Sequence, residues 1–345
     1  MPGRIEHGAE PACTLSSLSM RRSAFGGVLV VAFLAISRPV AAQGFEVLGT
    51  RAQGMGGAFV AVADDASATY WNPAGLAMGA YFSLLLDYST AKAEPDDPER
   101  AGSRSGSTVA FGLPALGLSY YRLRMTTLTE VPDDDDTVRL QTLITHHTGA
   151  TLVQSITDHI AVGATLKLVR GIAATGLAPA ADRDDLLDEA SDLVGSASNK
   201  FDADIGVIAT TGHLRAGLTV RNVVENDFEG PGGPIELKRL FRAGVALTLA
   251  EGVLVAADFD LDRVPGTVGE ERNIAVGAEA RLLQRLYLRS GFRVNTLGDE
   301  PAGARPVVSV GGSYAVFGSM IVDGQATLGS ESGDRGWGVG ARVVF

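Results

Sequence analysis

The stretch "VLVAADFDLD", Val253–Asp262, alternates between two kinds of side chain. Every odd-numbered residue in it is apolar, while Asp258, Asp260 and Asp262 occupy even-numbered positions. Successive side chains of a β-strand point to opposite faces. The stretch therefore predicts a strand with one apolar face and one charged face.

The same alternation returns along most of the chain after residue 80, for example in Leu214–Arg221 and Ile274–Leu282. Segments near ten residues long are separated by turn residues, which is typical of antiparallel strands. The fourteen predicted strands lie at about 81–91, 106–113, 115–126, 138–155, 159–173, 199–210, 212–222, 238–250, 252–263, 271–283, 285–297, 304–317, 319–329 and 335–345.

The links between these segments are of two kinds. Tight links such as "TTGH" and "LAEG" alternate with long polar links such as Lys92–Ser105, Met125–Thr137 and Thr175–Asn199. Outer-membrane barrels combine short turns on one side with long loops on the other. We therefore predict an all-β fold, a transmembrane antiparallel β-barrel of about 14 strands over residues 81–345.

A soluble β-sandwich or a lipocalin-like barrel is the alternative, because alternation alone does not say which face meets water. Three features favour the membrane. Fourteen strands enclose a lumen wide enough for charged side chains, and an export signal precedes the barrel. The last segment, "GWGVGARVVF", ends in Phe345, which resembles the C-terminal insertion signal of bacterial outer-membrane barrels.

Residues 1–42 are predicted to be a leader with a cleaved signal peptide. The pair Arg21-Arg22 precedes the apolar run Ala24–Ile36, and small residues follow up to Ala42. A basic region, a short apolar region and a small-residue cleavage site define such a signal. We expect cleavage after Ala42 and export to the outer membrane of a Gram-negative cell. Translation from either Met1 or Met20 is compatible with this pattern.

Composition excludes several functions. The only cysteine, Cys13, lies in the predicted leader, so thiol chemistry and disulfides are not expected in the mature chain. The net charge of −11 disfavours nucleic-acid binding, which needs basic clusters. His146 and His147 are adjacent on a predicted strand, so they face opposite ways and do not ligate one metal together. We therefore expect no enzyme activity, no cofactor and no metal.

Two acidic stretches lie in the long links. Asp133–Asp136 permits a cation-binding interpretation, but a solvated loop tip fits better because no glycine-punctuated ligand spacing is present. Asp182–Leu193 carries Leu186, Leu187 and Ala190 at helical spacing, which predicts a short helix in a loop.

The stretch "GMGGAFVAVADDASATYWNPAGLA", Gly54–Ala77, resembles the N-terminal signature of the FadL-like superfamily of outer-membrane transport proteins. The residues of this motif and the short length of the chain favour the PorV/PorQ-like branch of that superfamily. The resemblance implies that residues 43–80 form a hatch, or plug, inside the barrel lumen. It assigns ligand contact or gating to Asn72, Pro73, Ala74 and Gly75, for which a purely structural anchor of the plug is the alternative. It assigns a structural role within the hatch to Gly54, Gly56, Gly57, Asp64 and Asp65.

Alternation also predicts which charged side chains face the lumen. They are Arg215, Arg221, Arg242, Asp258, Asp260, Arg281, Arg289 and Arg293. We expect Asp64 and Asp65 to bond hatch amides or to pair with arginines of this set, which includes Arg215 and Arg242.

The resemblance implies passive passage of small hydrophobic molecules past the hatch. The alternative is a PorV-like scaffold or shuttle protein for type IX-like secretion, without transport of its own. The expected partners are outer-membrane lipid and the barrel-assembly machinery, with either hydrophobic small molecules or secretion components.

Overall fold

The computed structural model of the chain describes residues 40–41, 48–93, 101–131, 134–230, 234–266, 270–297, 305–329 and 335–345. Apart from Val40 and Ala41, the predicted leader lies outside the described residues, as does the start of the predicted hatch at residues 43–47. Within the described ranges, no helix has both the length and the hydropathy needed to cross a bilayer.

Fourteen antiparallel strands form one closed barrel, which confirms the predicted fold class and strand number. Each strand pairs with the next along the chain, and the last pairs with the first, so that Val344 lies opposite Ser83. The strands are β1 Ser83–Ala93, β2 Ala101–Gly112, β3 Leu116–Val131, β4 Asp134–Thr157, β5 Ile160–Pro179, β6 Ser196–Thr211, β7 Leu214–Arg221, β8 Leu240–Ala250, β9 Val253–Asp260, β10 Asn273–Leu282, β11 Leu286–Asn295, β12 Val307–Phe317, β13 Met320–Gly329 and β14 Arg335–Val344.

The strands β2 to β6 are longer than the sequence pattern predicts. The expected link Met125–Thr137 is wrong, because β3 continues to Val131 and β4 already begins at Asp134. The expected links before residue 106 and after residue 173 are shortened in the same way. Outside a bilayer neither strand face has to be apolar, so the alternation ends while backbone pairing continues, as between Glu130 and Val138.

A helix, α3 (Arg183–Ser191), follows β5, which confirms the loop helix predicted from Asp182–Leu193. The carboxylate of Asp182 accepts a hydrogen bond from the backbone N–H of Asp184 and caps the helix start. Leu186 and Leu187 are buried in a cluster with apolar side chains of the extended strands.

Residues 48–80, which we call the lumenal segment, lie inside the barrel. Two short helices, α1 (Thr50–Gly54) and α2 (Ala68–Trp71), and a 3-10 helix, Pro73–Met78, make up its regular structure. Its apolar side chains are almost fully buried, and Trp71 packs edge-to-face against Phe59. This segment supplies most of the main hydrophobic cluster of the described chain.

Short strands outside the barrel ladder complete the sheet structure. One small sheet joins residues 40–41 to the link after β7, and the other lies in the link after β9. Their strands are Val40–Ala41, Asn226–Phe228 and Ile235–Leu237 in one sheet and Val264–Pro265 and Glu270–Glu271 in the other.

The apolar face of the barrel points outward. Val276 and Leu288 are about half exposed, whereas their charged neighbour Arg289 is buried on the inner side. Phe345 is exposed at the end of β14, where its backbone pairs with Phe82 and its ring contacts the Phe82 ring. The barrel therefore presents a continuous apolar belt outward and a polar wall inward.

Candidate functional site

The inner wall holds the irregular backbone of the lumenal segment through carboxylates. One oxygen of Asp258 accepts hydrogen bonds from the N–H groups of both Phe59 and Val60, each at 2.8 Å. Asp87 accepts one from the N–H of Thr50 at 2.8 Å. Backbone groups that are not paired in a helix or a sheet need partners when they are buried. Inward carboxylates of the barrel supply those partners.

The predicted hatch glycines lie where the segment touches the wall most closely. Gly56 adopts a positive φ of 68°, and a β-carbon at this position would lie 2.8 Å from the backbone nitrogen of Phe292. Gly57 also has a positive φ. A β-carbon on Gly54 would lie 3.2 Å from the α-carbon of Gly311. Side chains at these positions would push the segment away from β11 and β12.

The predicted gate residues pack against β5 and β6. Asn72 is fully buried, and its side-chain amide donates to the carbonyls of Val60 (2.9 Å) and Val207 (3.2 Å). Its side-chain oxygen accepts from the N–H of Ala74 and caps the 3-10 helix that Pro73 begins. The single residue Asn72 therefore joins the two halves of the segment to the wall.

The wall opposite Asn72 has no side chains that would keep it at a distance. A β-carbon on Gly163 of β5 would lie 2.5 Å from the carbonyl carbon of Pro73. A β-carbon on its paired neighbour Gly206 of β6 would lie 2.0 Å from the side-chain oxygen of Asn72. Gly75 approaches the carbonyl of Ala63 equally closely within the segment. Backbone meets backbone on this side of the lumen.

The opposite side of the lumen holds the segment through charges, in a group that we call the ion-pair cluster. Arg51 lies at its centre and contacts Asp64 at 2.6 Å, Asp65 at 3.1 Å and Glu279 of β10 at 2.9 Å. Four arginines face four carboxylates in the cluster. Its members are Arg51, Asp64, Asp65, Arg215, Glu279, Arg289, Asp323 and Arg342.

Asp65 is the buried carboxylate of this cluster that belongs to the lumenal segment. Arg342 of β14 contacts it at 3.0 Å, and Ser67 donates hydrogen bonds to it. Burial disfavours the charged form, but the nearby Arg51 and Arg342 outweigh this and lower the pKa of Asp65 to about 2. Asp65 is therefore ionised at any ordinary pH.

The arginine partners differ from those expected for Asp64 and Asp65. Of the predicted set only Arg215 contacts either residue, at 3.5 Å from Asp64. The main partners are Arg51 and Arg342, which the alternation pattern did not single out. The pattern assigns a face to each residue, but it does not say which strands meet the same part of the segment.

The other predicted lumen residues occupy several environments. The guanidinium of Arg221 lies 3.6 Å from the ring centre of Tyr70, and Arg242 pairs with Asp260 at 2.6 Å. Arg289 pairs with Glu279 at 2.5 Å, while buried Arg293 lines a small cavity beside Gly56. Arg281 differs from the rest: it is exposed near the end of β10, 3.9 Å from Glu251 in the β8–β9 turn.

A second buried ion-pair group was missed by the sequence analysis. Lys167 of β5 contacts Asp202 at 3.2 Å and Asp204 at 2.7 Å, and all three side chains are fully buried. Arg221 lies beside Asp204 at 3.9 Å. The signal was present, because these residues share the inward register of β5 and β6.

A cavity of about 240 Å³ opens beside the ion-pair cluster at the short-turn end. Its lining includes Arg51, Asp64 and Arg342 together with Tyr287 and Ile321. In the part of the chain that the structure describes, no group of three or more histidine, cysteine, aspartate or glutamate side chains is arranged to hold a metal ion. Both polar and apolar side chains thus line the cavity.

Comparisons with solved structures find the same fold. The chain matches a protein described as the CymD monoaromatic hydrocarbon channel with a TM-score of 0.65, 16% identity and coverage of 88% of this chain and 99% of the other. It matches a FadL homologue of Pseudomonas aeruginosa (TM-score 0.63, 11% identity, 86% and 98% covered). It also matches the Ralstonia pickettii toluene transporter TbuX (0.60, 15%, 87% and 99%).

Sequence comparisons find a match over only part of the chain. A family described as "F plasmid transfer operon, TraF, protein" matches residues 147–260, which is a minor part of the chain. No curated protein sequence matches significantly. The structural likenesses therefore establish the fold, which this chain shares with FadL-type channels, and they do not support the leaning toward the PorV-like branch.

Proposed function

We propose that this chain is a passive outer-membrane channel for small hydrophobic molecules, with the lumenal segment as its hatch. The observation that carries the proposal is the match with the monoaromatic hydrocarbon channel over nearly the whole of both chains. The outward apolar belt supports a place in a membrane, and Phe345 at the end of β14 suits recognition by barrel-assembly machinery.

The described state is a closed one. The strand ladders of β5 with β6 and of β6 with β7 run without a register break beside the hatch. Asn72 and Pro73 fill the lumen against Gly163 and Gly206 of this wall. Passage therefore requires that the Asn72–Gly75 turn leaves the wall, and the contacts of Asn72 are the ones that have to break.

Uptake into proteoliposomes tests this function. The double substitution Asn72→Ala and Pro73→Gly should raise the uptake rate of a small aromatic tracer such as toluene, while the amount of folded, heat-modifiable barrel stays unchanged. Asn199→Ala, at an exposed position of β6, is the matched control and should change neither quantity. Unchanged uptake together with a lower folded yield would make the turn an anchor instead of a gate.

Removal of the hatch separates the two roles further. A chain without residues 43–80 should conduct small ions in planar-bilayer recordings, because the remaining inner wall is rich in charge. A folded barrel that stays silent in this recording would mean that side chains of the wall close the lumen by themselves, and transport past the hatch would be excluded.

A scaffold or shuttle role in secretion is the second candidate. The observation that favours it is the length of β4, whose 24 residues far exceed the roughly 9–11 that cross a bilayer. The extended strands and α3 offer a protein-sized surface beyond the membrane. Loss of a secreted protein from the cell surface after deletion of α3, with tracer uptake unchanged, would support this role over transport.

A further inference from the structure

The outer surface of the barrel carries an unusual basic group, which we call the arginine patch: Arg122 and Arg124 of β3, His146 of β4 and Arg170 of β5. Arg122 lies directly opposite His146, and His146 lies directly opposite Arg170. Their chain neighbours Tyr121, His147 and Val169 are buried on the inner side. The patch therefore faces outward, across three adjacent strands.

The positive charges of the patch lack a carboxylate partner within the described ranges. Among the residues that the structure describes, no carboxylate pairs with Arg122, Arg124 or Arg170, and the Nε of Arg124 is buried without a hydrogen-bond partner. Like charges on neighbouring strands repel each other. The chain as a whole is acidic, with a net charge of −11. An anion bound between the arginines would remove this repulsion.

The height of Arg170 places this end of the patch at the edge of the apolar belt. Arg170 lies ten residues beyond Ile160, the first residue of β5. A strand tilted by about 40° rises roughly 2.6 Å per residue along the barrel axis, so Arg170 lies about 26 Å from the short-turn end. The apolar belt of such barrels is about 25 Å tall. The guanidinium group of Arg170 thus reaches the layer of lipid headgroups on the long-loop side.

The residues just below the patch are apolar and exposed. Phe201, 79% exposed, lies opposite Leu168, two residues before Arg170. Tyr120, two residues before Arg122, is also exposed, and its hydroxyl contacts Nδ1 of His146 at 2.8 Å. An acyl chain can pack against these apolar side chains, whereas a free anion would make no favourable contact with them.

We infer that the arginine patch binds the phosphate groups of an anionic lipid of the outer leaflet, whose acyl chains lie along Tyr120, Leu168 and Phe201. Arginine is suited to this because its planar guanidinium donates two parallel hydrogen bonds to one phosphate. The inference rests on the outer-membrane placement in the proposed function, but not on transport.

Lipid retention by the purified full-length barrel tests the inference. Native mass spectrometry in detergent should show diphosphorylated lipid A retained by the wild-type protein, and about tenfold less by the variant Arg122→Gln, Arg124→Gln, Arg170→Gln. The same lipid without its phosphates should be retained weakly and equally by both proteins. The triple Arg→Lys variant keeps the charges and should retain an intermediate amount.

The matched control removes three arginines elsewhere, the half-buried Arg239 and the exposed Arg263 and Arg285: Arg239→Gln, Arg263→Gln, Arg285→Gln. It should retain the lipid as the wild type does, which excludes an effect of net charge alone. Equal retention by the wild type and the patch variant, or no preference for the phosphorylated lipid, would overturn the inference. So would displacement of the lipid by inorganic phosphate alone, because the patch would then be a free-phosphate site.

Heat-modifiable migration of each variant verifies that the barrel is folded, and tracer uptake is measured on the same samples. A lack of uptake with selective lipid retention would contradict the proposed channel and leave the lipid site standing. Tracer uptake without selective lipid retention would support the proposed channel and contradict the lipid site.

Discussion

The lumenal segment is held on two sides of the barrel by different chemistry. Toward β10–β14 it is held by the ion-pair cluster around Arg51, beside a cavity of about 240 Å³. Toward β5 and β6 it is held by the Asn72 side chain and by Pro73, which pack against glycines with almost no exposed surface. The first attachment depends on ionised groups near water, and the second on close packing and a hydrogen bond between uncharged groups. The two sides should therefore respond to different perturbations.

Substitution of Arg51 by Met should have the largest effect. It leaves Asp64, Asp65 and Glu279 without their shared partner, and loss of one member of a buried ion pair costs about 3–5 kcal/mol. Chemical unfolding in lipid vesicles, followed by fluorescence, measures this free energy. Arg263→Met, which removes an exposed arginine paired with Glu270 at 3.5 Å, should cost about 0–1 kcal/mol. Equal costs would mean that the cluster does not hold the segment.

A β-carbon on the packed side should have the next largest effect. Gly163→Ala forces the new atom against the carbonyl carbon of Pro73, which should cost about 1–3 kcal/mol. Gly324→Ala is the matched control, because no heavy atom lies within 4 Å of its β-carbon position. The same unfolding assay compares the two variants. A neutral Gly163→Ala would show that the Asn72 turn leaves the wall at little cost.

Acid should loosen the charged side alone. Asp65 has a pKa of about 2 in the folded chain, below its ordinary value of about 3.9, so its ionisation stabilises the fold above pH 4. This contribution, about 2 kcal/mol, should be lost as the pH falls from about 4 to about 2. The fluorescence of Trp71 in a Trp337→Phe background reports on the segment, because these are the two tryptophans of the chain. In the Asp65→Asn variant the change in Trp71 fluorescence over this pH range should be smaller. A fluorescence profile identical to that of the parent protein would rule out Asp65 as the source of the change.

Substitution of Arg215 by Gln should have the smallest effect. Its contact with Asp64 is long, at 3.5 Å, and both side chains are about a quarter exposed. Exposed ion pairs of this kind contribute about 0–1 kcal/mol. The unfolding free energy should therefore change far less than in Arg51→Met. A cost close to that of Arg51→Met would mean that the cluster extends to β7 as one unit.

Much of the fold follows from local pattern. Alternation and the contrast between tight and long links predicted a closed barrel of 14 strands, and the same pattern placed Arg242, Asp258 and Asp260 on the buried face. The strand ends of β2 to β6 did not follow, because alternation is imposed by the lipid and stops where the lipid stops. For the same reason the pattern could not foresee that α3 covers part of these extended strands.

What the sequence by itself determined is the antiparallel barrel of 14 strands and, where the alternation holds, the face of each strand residue. What only the tertiary structure decided is which residues meet. Arg51 and Arg342 are 291 positions apart in the chain, yet both contact Asp65. Closure of the barrel brings β14 next to β1 and sets the height of every strand, and this long-range register is not written in any local pattern. The pairing of Asp65, the glycine wall at Asn72 and the unpaired arginine patch all depend on it.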